Sequence, residues 1–255
     1  MRIVIKIGTS TLAYATGRLN IRRVEELCRV MCDLKNAGNE IILISSGAIG
    51  MGVGKLGLKS RPEDIPTKQA AAAVGQCELM YTYDKLIGSY NHTVAQILLT
   101  GEDIENEKRC ENFRNTVFRL LELGAFPIVN ENDTVATDEI VIGDNDTLAA
   151  NVGADLLVLL SDIDGLYTKD PHKYPDATFL SEVSALTPEI LALGEGKGSE
   201  LGTGGMKTKL HAAAIAMESG IDMIIANGSR PSVLYNIADG LPFGTKFFGR
   251  GKETK

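Results

Sequence analysis

Short runs of β-branched and aliphatic residues alternate along the chain with longer stretches in which apolar positions recur at helical spacing. The short runs predict strands at 3–5, 40–44, 93–98, 126–129, 156–160 and 222–226. The longer patterns predict helices at 21–37, 69–89, 106–123, 146–152 and 207–218. Strand and helix in alternation mean βαβ units, and these mean an α/β fold with an open, mainly parallel sheet. Crossover helices should cover both faces of that sheet.

Punctuation supports the assignment. Gly38 and Gly124 each close a helix at a position that tolerates the left-handed conformation, and a strand begins within a few residues. Two stretches stay irregular, 55–66 and 194–205, the second holding six glycines. Long loops in compact domains are more often functional than idle, and 55–66 is the expected gate over a ligand site. Neither a repeat nor a linker-like tract interrupts the pattern, so the chain reads as one domain of two lobes on one continuous sheet, approximately 1–155 and 156–255.

Composition narrows the classes. A chain of 255 residues with 44% apolar content is ordinary for a globular protein with a substantial core. A net charge of -7 argues against broad binding to nucleic acid or anionic membranes. The four cysteines, Cys28, Cys32, Cys77 and Cys110, show no CxxC spacing and no paired histidines. They read as buried free thiols in a reducing compartment. With no leader and no apolar run of the ~20 residues that span a bilayer, the expected location is the cytoplasm.

Several clusters could carry chemistry. Lys6 closes the first strand and is followed by Gly8, Thr9 and Ser10, a turn in which backbone N–H groups can approach an anion beside an ammonium. That is a phosphate cradle by physics, and alone it reads equally well as a lysine snorkelling at a strand end. It is not a Walker A loop, because GxxxxGK[ST] occurs nowhere. Ser46 and Gly47 follow the second strand, on the edge where open α/β sheets bind ligands. A GxGxxG match at 52–57 is rejected as a dinucleotide fingerprint, since it does not open a helix.

Two acid-amide clusters follow, N-E-N-D ending at Asp133 and G-D-N-D containing Asp144, Asn145 and Asp146. Carboxylates this dense beside apolar strands are costly unless solvated or matched to cations. A helix N-cap accounts for Asp144 or Asp146 but not for the whole set. A free α-amine on a substrate would explain Asp133, and Asn145 could donate to an α-carboxylate. The clusters read as a polar floor for a small zwitterion. Ser161 and Asp162 end another strand, and Asp164-Gly165 marks a turn. The glycine run at 202–205 opens a helix whose amide dipoles favour phosphate and whose Lys209 could reach a transferring group. A flexible loop with Lys207 and Lys209 solvated explains that run equally well. Together, two lysines, two glycine turns and an amide-acid pocket point to phosphoryl transfer to a small acid.

Taken in order, V-I-K-I-G-T-S at 4–10, S-S-G-A-I at 45–49, V-N-E-N-D at 129–133, G-D-N-D at 143–146, S-D-I-D-G-L-Y at 161–167 and G-T-G-G-M at 202–206 with Lys209 resemble the amino acid kinase family through nearly the whole chain. Within it they resemble the members that phosphorylate the γ-carboxylate of free L-glutamate. N-E-N-D with G-D-N-D and G-T-G-G-M is the specific combination; the lysine turn and the glycine loop are shared more widely. The resemblance implies a three-layer αβα sandwich, with ATP over the C-terminal lobe and glutamate over the N-terminal one. By motif, Lys6, Gly8, Ser161, Asp162, Thr203, Gly204, Gly205, Met206, Lys207, Thr208 and Lys209 would meet ATP. Ser46, Gly47, Asp133 and Asn145 would hold glutamate. Lys6 and Lys209 would be catalytic, with Asp146 orienting both lysines rather than acting as a base. Mg²⁺ would travel on the nucleotide phosphates, with no protein-only metal site.

The resemblance further implies a glutamyl phosphate reductase as functional partner on the route to proline, proline as a candidate feedback inhibitor, and a homo-oligomer. The chain departs from the family's common form by ending near Lys255, without an RNA-modification-type PUA domain, and by being about four residues shorter between Asp146 and Asp155, close to one helical turn. The rivals are relatives acting on N-acetylglutamate, aspartate, carbamate or uridylate, and a catalytically silent amino-acid sensor. An acetylated amine would not want Asp133. A sensor has no use for two lysines that act on a transition state.

Overall fold

The computed structural model describes residues 1–14, 18–136, 154–171, 173–194 and 205–251. Six strands form a continuous parallel block: β1 (Arg2–Ile7), β2 (Glu40–Ser45), β3 (Val94–Leu99), β4 (Phe126–Glu131), β5 (Leu156–Ser161) and β9 (Asp222–Asn227). The short strands β8 (Glu182–Val183) and β10 (Thr245–Phe247) extend it, giving the order β3-β4-β2-β1-β5-β9-β10-β8. Among the described residues only the β9–β10 pairing in this sheet is antiparallel. A separate antiparallel pair joins β6 (Leu166–Tyr167) to β7 (Phe179–Leu180).

The two-residue period of the strands sorts the core into two layers. Ile3, Ile5 and Ile7 face one way, against helices α2 (Ile21–Asn36), α4 (Ile65–Gly88) and α9 (Val233–Ala238). Val4, Ile42 and Ile44 face the other, against α6 (Glu107–Glu122) and α8 (Met206–Glu218). In β5 all six residues are buried. Each large aliphatic side chain buried there contributes about 1.5–3 kcal/mol, and a slip of one residue would exchange the two faces and lose their packing. The expected α/β sandwich, with helices on both faces of a mainly parallel sheet, is the observed one.

Elements that the periodicity did not predict are short: α1 (Thr9–Leu12), α3 (Ala48–Lys55), α5 (Gly101–Glu105), α7 (Pro188–Ala192), α9, β6, β7, β8 and β10. None is long enough to build a clear period. Helix α4 starts at Ile65 rather than 69. Asp64 caps it by accepting from the Thr67 N–H at 2.9 Å, and Pro66 is accommodated in the first turn, where its missing N–H costs nothing. The expected loop at 55–66 shrinks accordingly to the exposed segment between α3 and α4. The GxGxxG match lies within and beyond α3, with Gly57 at φ 66° past its end. Gly38 and Gly124 take the expected left-handed conformation, at φ 93° and 76°.

Cys28, Cys32 and Cys110 are buried, but Cys77 is exposed, so the reading of four buried thiols needs that correction. Burial pushes the Cys28 thiol up, with Cys32 adding to the effect, and pushes Cys32 up to about 11. Neither is a thiolate at neutral pH. Among the described residues no helix is long and apolar enough to cross a membrane.

Candidate active site

Because the six long strands run parallel, their C-terminal ends lie along one edge of the sheet, where the loops gather the polar residues. Strand pairing places Lys6 level with Ile44 on one side and Leu159 on the other. Lys6 shares the parity of Val4, so its side chain leaves the sheet on the α8 face. Ser161 shares the parity of Leu157 and Leu159 on that same face. Helix α8 brings Lys209 to it as well.

The loop after β1 is shaped around Gly8. A β-carbon there would stand 4.0 Å from both Lys6 Nζ and Ser10 Oγ, so the ammonium and the hydroxyl converge over a position without a side chain. The Ser46 N–H donates to the Ile7 carbonyl at 3.1 Å, tying the exit of β2 to that of β1. Gly47 then turns the chain at φ 112° into α3. A side chain at Gly47 would be strained by that backbone and would meet Leu12 and Thr9 at 3.7 and 4.0 Å.

At the end of β4, Asn130 and Glu131 are buried and Asp133 is half-buried. The Asn132 N–H donates to the Leu99 carbonyl at 2.7 Å, and its side-chain oxygen accepts from the Thr134 hydroxyl. Asn130 Nδ2 donates to Gln76 Oε1 at 2.8 Å, while Ser45 Oγ and Tyr83 OH lie 2.8 Å apart in the core. Burial pushes the Tyr83 hydroxyl up, against an opposing effect of the Ser45 bond. It stays neutral.

On the other side of β1, Ser161 is buried and its hydroxyl donates to Asp162, which is exposed. The Gly228 N–H donates to the Ser161 carbonyl at 2.8 Å. Asn227 Nδ2 donates to Asp164 Oδ1 at 2.8 Å, and Tyr167 OH to Asp164 Oδ2 at 3.3 Å. Partial burial, then the Asp164 charge, raise the Tyr167 hydroxyl. Helix α8 begins after Gly205, whose carbonyl accepts from the Thr208 hydroxyl at 2.9 Å. Two residues turn a helix by about 200°, and this separates the lysines: Lys209 is 8% exposed while Lys207 points to solvent. That burial removes the reading in which both are merely solvated.

The structure thus brings Lys6, Gly8, Ser46, Gly47, Asp133, Ser161, Asp162, Gly205, Met206, Lys207, Thr208 and Lys209 to one edge of the sheet and the helix start beside it. Asn145, Asp146, Thr203 and Gly204 lie outside the described residues, as does the shortened segment after Asp146. Asn227 was missed by the sequence reading. Its signal was available, for it ends the apolar run of β9 as Ser161 ends that of β5.

Such an edge, with a lysine and backbone donors beside buried amides and a half-buried acid, defines a phosphotransferase of the αβα type. Residues 1–227 match the model of the amino acid kinase family, and the chain belongs to that family. It is 52% identical over 260 residues to glutamate 5-kinase of Clostridium perfringens, covering 99% of this chain and 97% of the relative. It is 51% identical over 260 residues to glutamate 5-kinase of Listeria monocytogenes, covering 99% and 94%. Among solved structures, carbamate kinase from Giardia lamblia bound to AMP-PNP superposes with a TM-score of 0.67 at 16% identity, covering 97% of this chain and 98% of that one. UMP kinase from Bacillus anthracis does so with a TM-score of 0.64 at 17% identity, covering 98% and 96%. At that identity the structures establish the fold.

Proposed function

We propose that this protein transfers the γ-phosphoryl group of ATP to the γ-carboxylate of L-glutamate, giving L-glutamyl 5-phosphate in the first step of proline biosynthesis. The observation that carries the reading is the division of one strand edge: a half-buried acid near a buried hydroxyl at the end of β2 and a buried amide at the end of β4, and a buried lysine opening α8 beyond β5. Full-length similarity to glutamate 5-kinases supports it. On this reading the acceptor lies over 1–155 and the nucleotide over 156–255.

The γ-carboxylate has a reference pKa near 4.3, so at neutral pH it is already the nucleophile and needs no general base. One carboxylate oxygen bonds to the γ-phosphorus while the bond from phosphorus to the β–γ bridging oxygen breaks, and ADP leaves with that electron pair. The obstacle is an anion meeting an anion. Lys6, Lys209 and the amides around Gly8 and Gly47 neutralise and orient the charge during in-line transfer. Asp146 holds the lysines in place, Asp133 accepts from the substrate α-amine, and Ser46 and Asn145 donate to its oxygens. Ser161, Asp162 and the segment 203–208 hold the nucleotide. On this reading Mg²⁺ would be held by the hard oxygens of the nucleotide phosphates, beside the buried Lys209. When bound, Mg²⁺ adds positive charge to the phosphate oxygens.

The product is a labile acyl phosphate, suited to immediate consumption by a reductase in the cytoplasm. Proline as inhibitor and assembly into a homo-oligomer belong to the same reading. ADP release with Mg-ATP, using hydroxylamine to trap the acyl phosphate, tests it. Hydroxamate should form with L-glutamate and not with N-acetylglutamate, L-aspartate, carbamate or uridylate. Binding of glutamate without turnover would instead make the protein a sensor.

A further inference from the structure

Helix α4 carries Gln69, Gln76 and Tyr83 at intervals of seven, so the three share one face. Gln69 Nε2 donates to the Ala136 carbonyl at 3.4 Å, Gln76 Oε1 accepts from Asn130, and Tyr83 pairs with Ser45. All three partners lie on or just beyond β2 and β4. One of these side chains is incomplete. Asn130 Oδ1 accepts from the Glu131 N–H at 2.9 Å, so Asn130 must offer its Nδ2 to Gln76, and Gln76 must answer with Oε1. The amide orientation of Gln76 is thereby set by a backbone group. Its Nε2 is left buried without a hydrogen-bond partner, on a side chain only 7% exposed.

Buried amide donors are satisfied in the great majority of native proteins. Gly75, beside Gln76, packs its backbone against Ala48 and Gly52 of α3. Gln76 therefore stands between the helix that starts after Gly47 and the strand that leads to Asp133, the two segments assigned above to the acceptor. A dicarboxylate has four acceptor-only oxygens, and a neutral amide can serve one without adding charge.

We propose that Gln76 Nε2 donates to a carboxylate oxygen of the bound acceptor amino acid, making Gln76 a further binding residue and Asn130 its positioning partner. This rests on the acceptor reading given above. Gln76→Glu keeps an oxygen for Asn130 but replaces the donor with an acceptor, whereas Gln76→Met keeps the length and removes both. Steady-state kinetics with glutamate and ATP varied in turn, with calorimetric titration of glutamate, read the effect. Both variants should raise the glutamate KM and Kd by about tenfold to a hundredfold, the range for a lost bond to a charged group, with the ATP KM unchanged. Unaltered glutamate KM and Kd in a folded Gln76→Glu protein would overturn the assignment; should that variant not fold, unaltered values in Gln76→Met would do so. A wild-type protein that fails to phosphorylate glutamate would instead refute the proposed function, a result visible before either variant is made.

Discussion

The two sides of the strand edge are built differently. At the ends of β2 and β4, the polar groups Ser45, Asn130 and Glu131 are buried, and helix α4 braces the first two. At the ends of β5 and β9, Asp162 and Asp164 are exposed; Ser161 bonds to its sequence neighbour Asp162, and Asn227 at the end of β9 bonds across to Asp164. A small zwitterion offers little surface, so its affinity comes from groups already fixed in place. A nucleotide brings more surface and three phosphates, and it needs chiefly a positive, donor-rich grip at one end. The difference lies in how each side is supported, since both hang from the same parallel strands.

Substitutions can break that contrast, and the largest effect falls on turnover. Lys209→Ala should lower kcat on the order of 10³-fold, the scale of a cation lost from a phosphoryl transition state, with the glutamate KM nearly unchanged. Asp133→Ala should do the reverse, raising the glutamate KM about tenfold to a hundredfold with kcat nearly preserved. Steady-state kinetics check both, and an exchanged pattern would refute the assignment of sides.

The brace itself comes next. A β-carbon at Gly75 would fall 1.8 Å from the Ala48 carbonyl oxygen, so Gly75→Ala must push α3 from α4. Overpacking of this kind costs about 1–3 kcal/mol, and for a chain of this size each kcal/mol lowers Tm by about 2–4 °C. Thermal unfolding should show that loss, and kinetics should show a raised glutamate KM with the ATP KM unaltered. Tyr83→Phe removes one buried hydrogen bond and should cost about 1 kcal/mol in denaturant titration. Asp164→Ala, on the exposed side, should change stability by no more than about 0.5 kcal/mol. Equal losses from these last two would erase the contrast.

Much of this was legible in the chain. The β-branched runs located the six long strands because burial on both faces of the inner ones demands continuous apolar sequence, while the edge strand β3 is only partly buried. Gly38 and Gly124 marked helix ends because few other residues accept that backbone. Lys6, Ser46, Asp133, Ser161 and Lys209 stood out because each follows an apolar run or a glycine turn. Gln76 and Tyr83 did not, since a polar residue within a helix looks like an ordinary surface position until its neighbours are known. Nor did the spacing of Lys207 and Lys209 reveal which one is buried.

The sequence by itself determined the alternation of strands and helices, the sharp turns and the residue types at the strand ends. These depend on steric and hydrophobic preferences within a few residues. Only the tertiary structure decided the strand order, the antiparallel β10, the near contact of Gly52 and Gly75 with the opposing helix, and the burial of Gln76 against Asn130. Those features rest on residues far apart in the chain, and a local pattern has no means of specifying which distant backbone will close over it.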